Sequence, residues 1–595
     1  MEEIKEKIKE FEKRSGENRG MYLERVDTRH KSPDFNMSFN SANHPALHRL
    51  DESHAGARQV ALKHGITPYD VLHCSEKFWN LHLDPVCVRD FSAWTLLAIQ
   101  LNLCGGVVSF FAAQSQSRYL DTLAKQIVNF DVSAQFLMTE VEHGLDARNL
   151  ETTATLLPNG SFDLHTPHGG ADKFMPPTLP DVGVPRLGIV MARLISLEGK
   201  DLGIRAFIVP LNDGVSMCPG ITAKPLPDRC GVTPLGHALT HFDHVNLPNH
   251  ALLGPLHSNL HPRVQFLSEI WRVSIGSATL TCGIISTLKT SAYIVATYSK
   301  RRMVGVPRVP IFTFRTQHRP ILHALVRSFV LASFFKSLRT TGGFDSAWNN
   351  KDDLDHLQIR NAYATIFKVT TVNLCKESLS DLGERCGAQG TFAYNQLIPG
   401  EMAVRGAIIA EGDSLVLSIR LAFELLLGRY TLSSPHDPNH HLASHESALF
   451  SELQTQLISI SNTNDSSDHR SQRANATILP RANSLIEAIG VRMAYEAALS
   501  DPEIDKTILR LFTISCIQRD IGWYIENGRF SRAKLFEDEM YAIEELLPKL
   551  DDMLKKTGVE PYVYAKICKE DSWREFVEGL PEIGRGGPGT LQARL

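Results

Sequence analysis

Apolar residues recur every three or four positions through most of the chain, and alternate with polar ones through one central part. Helical spacing occupies 54–64, 68–82 and 89–111, after a short lead in which Ile4, Ile8 and Phe11 share one face and a polar coil that runs to about residue 42. Between 136 and 255 the period changes to two, in short runs at 151–157, 161–166, 186–195, 203–210 and 237–247 separated by Gly, Pro and Asp. Pro158-Asn159-Gly160 joins the first two runs. Asn-Gly there signals a hairpin, because a tight two-residue turn needs residues that tolerate positive φ. The spacing of these runs predicts a small antiparallel barrel or sandwich.

Helical spacing returns at 264–302, 318–340, 354–382 and 414–427. A polar loop at 431–447 and a Ser/Asn/Asp-rich stretch at 459–475 that reads as mobile come before further helices at 480–499, 505–527 and 532–556, and the Gly-rich tail 581–595 reads as disordered. The predicted fold is mostly α with a central small β domain. It divides into an N-terminal helical domain (1–135), the β domain (136–255), a second helical domain (256–430) and an additional C-terminal helical domain with its tail (431–595).

Composition narrows the function classes. The 595 residues carry 43% hydrophobic and 22% charged positions and a net charge of −4, with no basic excess to suggest nucleic acid. Ten scattered cysteines without a Cys-x-x-Cys pair fit reduced thiols in an intracellular protein, and neither a disulfide framework nor a zinc site. The N-terminus lacks the apolar core of a signal peptide. No apolar run reaches membrane-spanning length; 94–112 comes nearest, interrupted by Gln100, Asn102 and Ser109. His436, His440, His441 and His445 fall in the polar loop and read as loop residues, so no metal is expected. Gly584, Gly586 and Gly589 fit a dinucleotide pattern with neither strand before nor helix after, and are discounted. Met402 and Phe423 read as core residues.

Chemistry enters at Met138-Thr139-Glu140 with His143-Gly144, followed by Leu150-Glu151-Thr152-Thr153-Ala154. On the residues alone this is a polar loop ahead of a hairpin, able to hold a polar ligand or merely to lead into a sheet. The segment resembles the flavin-binding stretch of the peroxisomal acyl-CoA oxidases, relatives of the acyl-CoA dehydrogenases. The resemblance implies a helical domain, a β barrel, a second helical domain and an extra C-terminal helical domain, with FAD between the β domain and the second helical domain. It places Thr139, Gly144, Phe174, Pro177 and Thr178 at the cofactor. Two positions depart from the family pattern. Pro177 stands where a glycine approaches FAD and cannot donate an N–H. Glu142 stands where the family has glycine; its carboxylate either bears on substrate choice or faces water.

A second set of motifs is similar to the same family. Cys386-Gly387-Ala388-Gln389-Gly390, then Ala410-Glu411-Gly412-Asp413-Ser414, resembles the oxidases' Cys-Gly-Gly-His-Gly and Glu-Gly segments. Asp413 or Ser414 can cap the following helix, which leaves Glu411 on the turn ahead of it; read alone, Glu411 and Asp413 merely complement a helix dipole. The resemblance makes Glu411 the base that removes the proton alpha to a thioester carbonyl, and places Gly387 and Gly390 near the flavin. That base needs a carboxyl pKa raised by apolar burial. The resemblance also implies that the Glu411 N–H stabilises the enolate oxygen, that hydride leaves the beta carbon for the flavin, and that oxygen reoxidises the flavin to give hydrogen peroxide. Tyr298-Ser299-Lys300-Arg301-Arg302 and Phe314-Arg315-Thr316-Gln317 resemble elements that contact FAD across a dimer interface. Arg301 suits the pyrophosphate by bidentate geometry, with Gln317 nearby; unaided, this is a basic helix end.

Ala593-Arg594-Leu595 is a variant of the Ser-Lys-Leu address read by the peroxisomal import receptor. The expected protein is a homodimeric, FAD-dependent acyl-CoA oxidase of peroxisomes that acts on an acyl-CoA with O2 as acceptor, in fatty acid β-oxidation or in acyl-chain biosynthesis. An acyl-CoA dehydrogenase using a protein acceptor and a non-enzymatic acyl-CoA-binding relative remain the alternatives.

Overall fold

The computed structural model describes residues 50–461 and 469–582. The lead stretch with Ile4, Ile8 and Phe11, the coil to residue 42, part of the Ser/Asn/Asp-rich segment, the tail glycines and Ala593-Arg594-Leu595 lie outside the described residues.

The first helical part comprises α1 (Leu50–His64), α2 (Pro68–His73), α3 (Glu76–Leu83), α4 (Phe91–Leu97), α5 (Gly106–Ser115) and α6 (Arg118–Val128). Thr67 opens α2 with a capping box, accepting from the Asp70 N–H while the Asp70 carboxylate accepts from the Thr67 N–H. Where the spacing predicts one helix through 89–111, α4 and α5 are joined by a π-helix, Ala98–Gly105. Its wider turn presents Asn102 and Cys104 inward, and such turns recur at functional sites.

The strands are β1 (Ser133–Leu137), β2 (Thr153–Leu156), β3 (Phe162–His165), β4 (Lys173–Phe174), β5 (Arg186–Ile195), β6 (Asp201–Asn212), β7 (Ile221–Pro225), β8 (Ala238–Phe242) and β9 (Val245–Leu247). They form a six-stranded sheet in the order β1-β5-β2-β3-β9, with β6 on β5, and a three-stranded sheet β4-β8-β7. The antiparallel expectation holds for β2–β3, β3–β9, β5–β6 and the smaller sheet. β1 and β2 instead run parallel to β5, end to end along one edge, with Ser133 opposite Arg186 and Thr153 opposite Arg193. Alternation has period two in either orientation, so it could not separate them. β5 reads as a nearly unbroken apolar run because both its faces are covered. Leu187, Ile189 and Met191 pack on Val107, Val108 and Leu120 of the helices, while Val190, Ala192 and Leu194 pack on Phe162, Phe207 and Phe242.

The second helical part holds α7 (Pro262–Glu269), α8 (Trp271–Arg301), α9 (Arg315–Thr341), α10 (Leu354–Arg385), α11 (Leu397–Ile409) and α12 (Ser414–Leu426). The chain breaks at Ile270 (φ −103°, ψ 18°), so the predicted single helix over 264–302 is two. Beyond it come α13 (His441–Ser461), α14 (Gln472–Thr477), α15 (Leu479–Leu499), α16 (Lys506–Ile517), α17 (Ile521–Glu526), α18 (Arg532–Leu546), α19 (Leu550–Lys556) and α20 (Glu570–Glu578). α13 starts inside the predicted 431–447 loop, because Leu442, Ala443, Leu449 and Leu453 supply a helical buried stripe. α8, α9, α10 and α15 share one core, and α15 comes close to α10 at Gly490, where a side chain would collide with Thr370.

Two stretches are long and apolar enough to cross a membrane by length and composition, Phe91–Ser115 and Arg315–Thr341, against the sequence expectation that none is. Their apolar windows are 83% and 78% buried inside the protein, as in core helices.

Candidate active site

α11 ends as Ala410 turns to extended backbone. Glu411 then adopts φ +58° and Gly412 φ +94°, and Asp413 caps α12, accepting from the N–H groups of Leu415 (3.0 Å) and Val416 (3.2 Å). A left-handed glutamate costs about 1–2 kcal/mol and persists only where its surroundings hold it. Lys368 of α10, fully buried, donates to the carbonyls on either side of it, Ala410 (2.5 Å) and Gly412 (2.6 Å). Each hydrogen bond from a charged donor contributes about 1.5–3 kcal/mol, enough to outweigh the strain. Ser277 Oγ also donates to the Glu411 carbonyl at 3.3 Å.

The Glu411 residue is half-buried, but its carboxylate turns inward against α8. A Cβ on Gly276 would lie 2.6 Å from Glu411 Cδ and Oε1 and 2.8 Å from Asn102 Nδ2, so the glycine leaves the room that the carboxylate fills. Asn102 Nδ2 donates to the Arg272 carbonyl (3.2 Å), and the buried Arg272 returns Nε to the Asn102 carbonyl (2.8 Å). Burial pushes the Glu411 carboxyl up to about 8, against the pull of the Lys368 and Arg272 cations. Burial likewise draws the Lys368 ammonium down to about 8, against the pull of Glu411 and Asp413. The Glu411 N–H has no hydrogen-bond partner among the described residues. Asn102, Arg272, Gly276 and Lys368 were not singled out from sequence. They are distant in the chain and carry no local motif; a polar residue inside an apolar helical run was the one available signal.

The residues expected at the cofactor fall into two groups. In the β part, Thr139 follows β1, its carbonyl accepts from the Phe174 N–H (2.9 Å), and the Phe174 ring is exposed. The Thr139 hydroxyl makes no hydrogen bond among the described residues, and Gly144 stands in open space. These positions can receive a ligand. Pro177 and Thr178 are instead buried and engaged: the Pro177 carbonyl accepts from Arg186 (2.5 Å), and the Thr178 hydroxyl pairs with that of Thr240 (2.7 Å). The Glu142 carboxylate lies over Gly170, close enough that a Cβ there would be 2.5 Å from its Cδ. Glu140 is a tie inside the fold. Fully buried, it pairs with Lys173 (2.8 Å) and accepts from the N–H groups of Glu151 (2.7 Å) and Thr152 (3.0 Å).

In the helical part, Arg301 Nε donates to the Ile567 carbonyl (3.0 Å), and its guanidinium pairs with Glu570. The arginine expected at the pyrophosphate is therefore held by the C-terminal helices, while the exposed Arg302 has no side-chain partner among the described residues. Gln317 accepts from Ser299 Oγ (3.1 Å). The Ile567 N–H donates to Asn395 Oδ1, and Asn395 Nδ2 donates to the Gln389 carbonyl, which links Arg301 to the Gly387–Gly390 turn. Gly387 is exposed at φ +58°, whereas Gly390 presses on the backbone of Gly383. Thr139, Gly144, Phe174, Gln317 and Gly387 thus leave groups open to a cofactor such as FAD, whereas Pro177 and Thr178 are buried.

Two other polar clusters offer less. His165, Asp243 and His244 have metal-ligand spacing. The two imidazoles are stacked 4.0 Å apart at 10°, so their in-plane lone pairs run side by side and do not converge on one ion. A cavity of about 150 Å³ is lined by Arg319, His323, Arg327, Glu377 and Arg519. Each guanidinium there is already paired with a carboxylate, leaving no positive excess for an anion. His441 and His445, expected in a loop, lie on α13, and His445 bonds Asp520 at 2.9 Å. Phe423 is a core residue as expected, while Met402 is only half-buried, beneath the Gly231 turn.

A helical bundle, a mixed sheet, a second bundle bearing an inward-turned glutamate and an added C-terminal helical part together make an acyl-CoA oxidase fold. An acyl-CoA oxidase 1 of Yarrowia lipolytica superposes with a TM-score of 0.74 at 16% identity, over 91% of this chain and 88% of that one. An acyl-CoA oxidase-2 of Caenorhabditis elegans bound with FAD, ascaroside-CoA and ATP does so at 0.68 and 15% identity, over 90% and 93%. Among curated proteins, the peroxisomal acyl-coenzyme A oxidase 2 of Arabidopsis thaliana is 26% identical over 395 residues, 61% of this chain and 54% of that protein. Peroxisomal acyl-coenzyme A oxidase 2 of Mus musculus is 26% identical over 318 residues, 49% and 45%. No family model matches the chain. The chain spans about half the length of these curated relatives. It is a divergent relative of the peroxisomal acyl-CoA oxidases, as its motifs suggest.

Proposed function

We propose that this protein is an FAD-dependent acyl-CoA oxidase that places a trans-2 double bond in an acyl-CoA thioester, with O2 as electron acceptor. The observation that carries the reading is Glu411: a strained, left-handed residue whose carboxylate is buried against Gly276 and pushed up to about 8. In this reading Glu411 takes the proton from the alpha carbon, and its unpartnered N–H stabilises the thioester oxygen as charge develops there. Thr139 and Phe174 orient the flavin, which when bound supplies the acceptor for the hydride leaving the beta carbon. Peroxisomal location follows the naming of the curated relatives. A homodimer would bring the helical group around Arg302 and Gln317 to a flavin held by the other protomer.

The first test is the visible spectrum of the FAD-loaded protein without oxygen. Bleaching by a medium-chain acyl-CoA and recolouring in air are expected; recolouring only with an added electron-transfer protein would make it a dehydrogenase. The engaged Pro177, Thr178 and Arg301 favour one other reading, an acyl-CoA-binding relative without flavin, and failure to take up FAD would select it.

Two quantitative expectations arise from the site. Only the ionised base reacts, so kcat/KM for flavin reduction should rise about tenfold per pH unit on the acid side and level off near pH 8. A flat profile between pH 6 and 8 would contradict a raised carboxyl. Gly276→Ala should displace the carboxylate and slow reduction about 10²-fold. Thermal unfolding should change little, because alanine suits a helix better than glycine.

A further inference from the structure

We infer that Lys368 is a positioning residue: its ammonium clamps the two carbonyls that flank Glu411 and so holds the glutamate in the left-handed turn that aims its carboxylate inward. The inference rests on the reading of Glu411 as the base. Lysine is rarely buried without a carboxylate partner, and no carboxylate hydrogen-bonds Lys368 among the described residues. Its two bonds go to Ala410 and Gly412, one residue either side of Glu411. Those carbonyls converge on one nitrogen only while Glu411 keeps φ near +58°; rotation to negative φ would swing them apart. The lysine sits mid-way along α10, whose neighbours Phe367 and Val369 are fully buried, so the clamp is anchored in the core.

The same charge bears on the base electrostatically. Facing Glu411 are the cations Lys368 and Arg272 and the thiol of Cys104, while Asp413 faces Lys368. Both cations favour the carboxylate form against burial. Removing Lys368 should therefore raise the pH at which the base ionises as well as loosen its turn.

The test uses FAD-loaded Lys368→Met and Lys368→Arg proteins, with anaerobic flavin reduction followed across pH. Lys368→Met is expected to lower kcat 10- to 100-fold with KM within threefold, and to move the acid limb of kcat/KM upward by about one pH unit. Lys368→Arg keeps charge and donors, and should restore the limb. Thermal unfolding in the same buffers, without substrate, separates the turn from the fold. Where Met prevents folding, Lys368→Gln, which keeps an N–H donor group but no charge, takes its place; if neither folds, the lysine serves the fold alone and the inference is overturned. An unmoved limb with kcat within twofold of the parent overturns it too, while Glu411→Gln is inactive. If Glu411→Gln still reduces flavin, the base reading fails first and the positioning role falls with it.

Discussion

Replacing Glu411 by Gln is expected to slow reduction of bound flavin by acyl-CoA about 10²- to 10⁴-fold, the range over which a positioned general base contributes. Glutamine matches the side chain in size, so it fills the same space between Gly276 and Asn102 and leaves the turn, with its two bonds from Lys368, in place. FAD uptake and acyl-CoA affinity should remain within a few-fold of the parent, because neither depends on a base. Stopped-flow reduction without oxygen reads the loss, and a spectral titration reads the binding. Reduction at the parent rate would sink the assignment of the base, whatever the fold.

Breaking the buried Glu140–Lys173 pair from one side should cost about 3–5 kcal/mol of stability, since it strands an uncompensated charge. Both side chains are fully buried 2.8 Å apart, and Lys173 also donates to the carbonyls of Met138 (3.3 Å) and Met191 (2.7 Å). Burial draws the lysine down to about 8 against the pull of Glu140. Burial pushes the Glu140 carboxyl up, but Lys173 and the two backbone N–H groups outweigh it and hold the carboxyl below its ordinary value. A depressed carboxylate stabilises the fold above its unfolded pKa, and that stabilisation is lost as pH falls through the folded value. Glu140→Gln should therefore cost most near neutral pH and least in acid. Urea unfolding of Glu140→Gln, Lys173→Met and Glu140→Leu with Lys173→Met measures it; the double variant should cost less than either single one. Equal stability of all three with the parent would show that the pair does not hold the loop. Because Lys173 also reaches Met138, beside the proposed flavin contacts Thr139 and Phe174, the single variants should weaken FAD uptake as well.

The two residues of that pair show how far local pattern reached. Glu140 was legible as part of a polar motif before a hairpin, and its Asn-Gly turn and paired strands were legible too, because turn chemistry and alternation are local. That Glu140 faces Lys173 and not a ligand was not legible: thirty-odd residues separate them, and nothing in either neighbourhood marks the pairing. Thr139 and Thr178 were equal candidates in sequence, yet one hydroxyl is free and the other is bonded to Thr240. Arg301 and Arg302 were interchangeable as a basic helix end, until the C-terminal helices took Arg301 through Ile567 and Glu570.

By itself the sequence determined the succession of a helical, a β-rich and a second helical part, a helix cap at Asp413 or Ser414, the position of Glu411 on a turn, and the motifs shared with acyl-CoA oxidases. Each depends on contacts within a few residues, where spacing and side-chain type suffice. Only the tertiary structure decided the parallel pairing of β1 and β2 with β5, the π-turn that brings Asn102 inward, the glycine that leaves room for the carboxylate, and the lysine that clamps its turn. Those depend on which distant surfaces meet when the apolar faces close. The same burial that pushes Glu411 up to about 8 exists only once α8, α10 and α12 have packed around it.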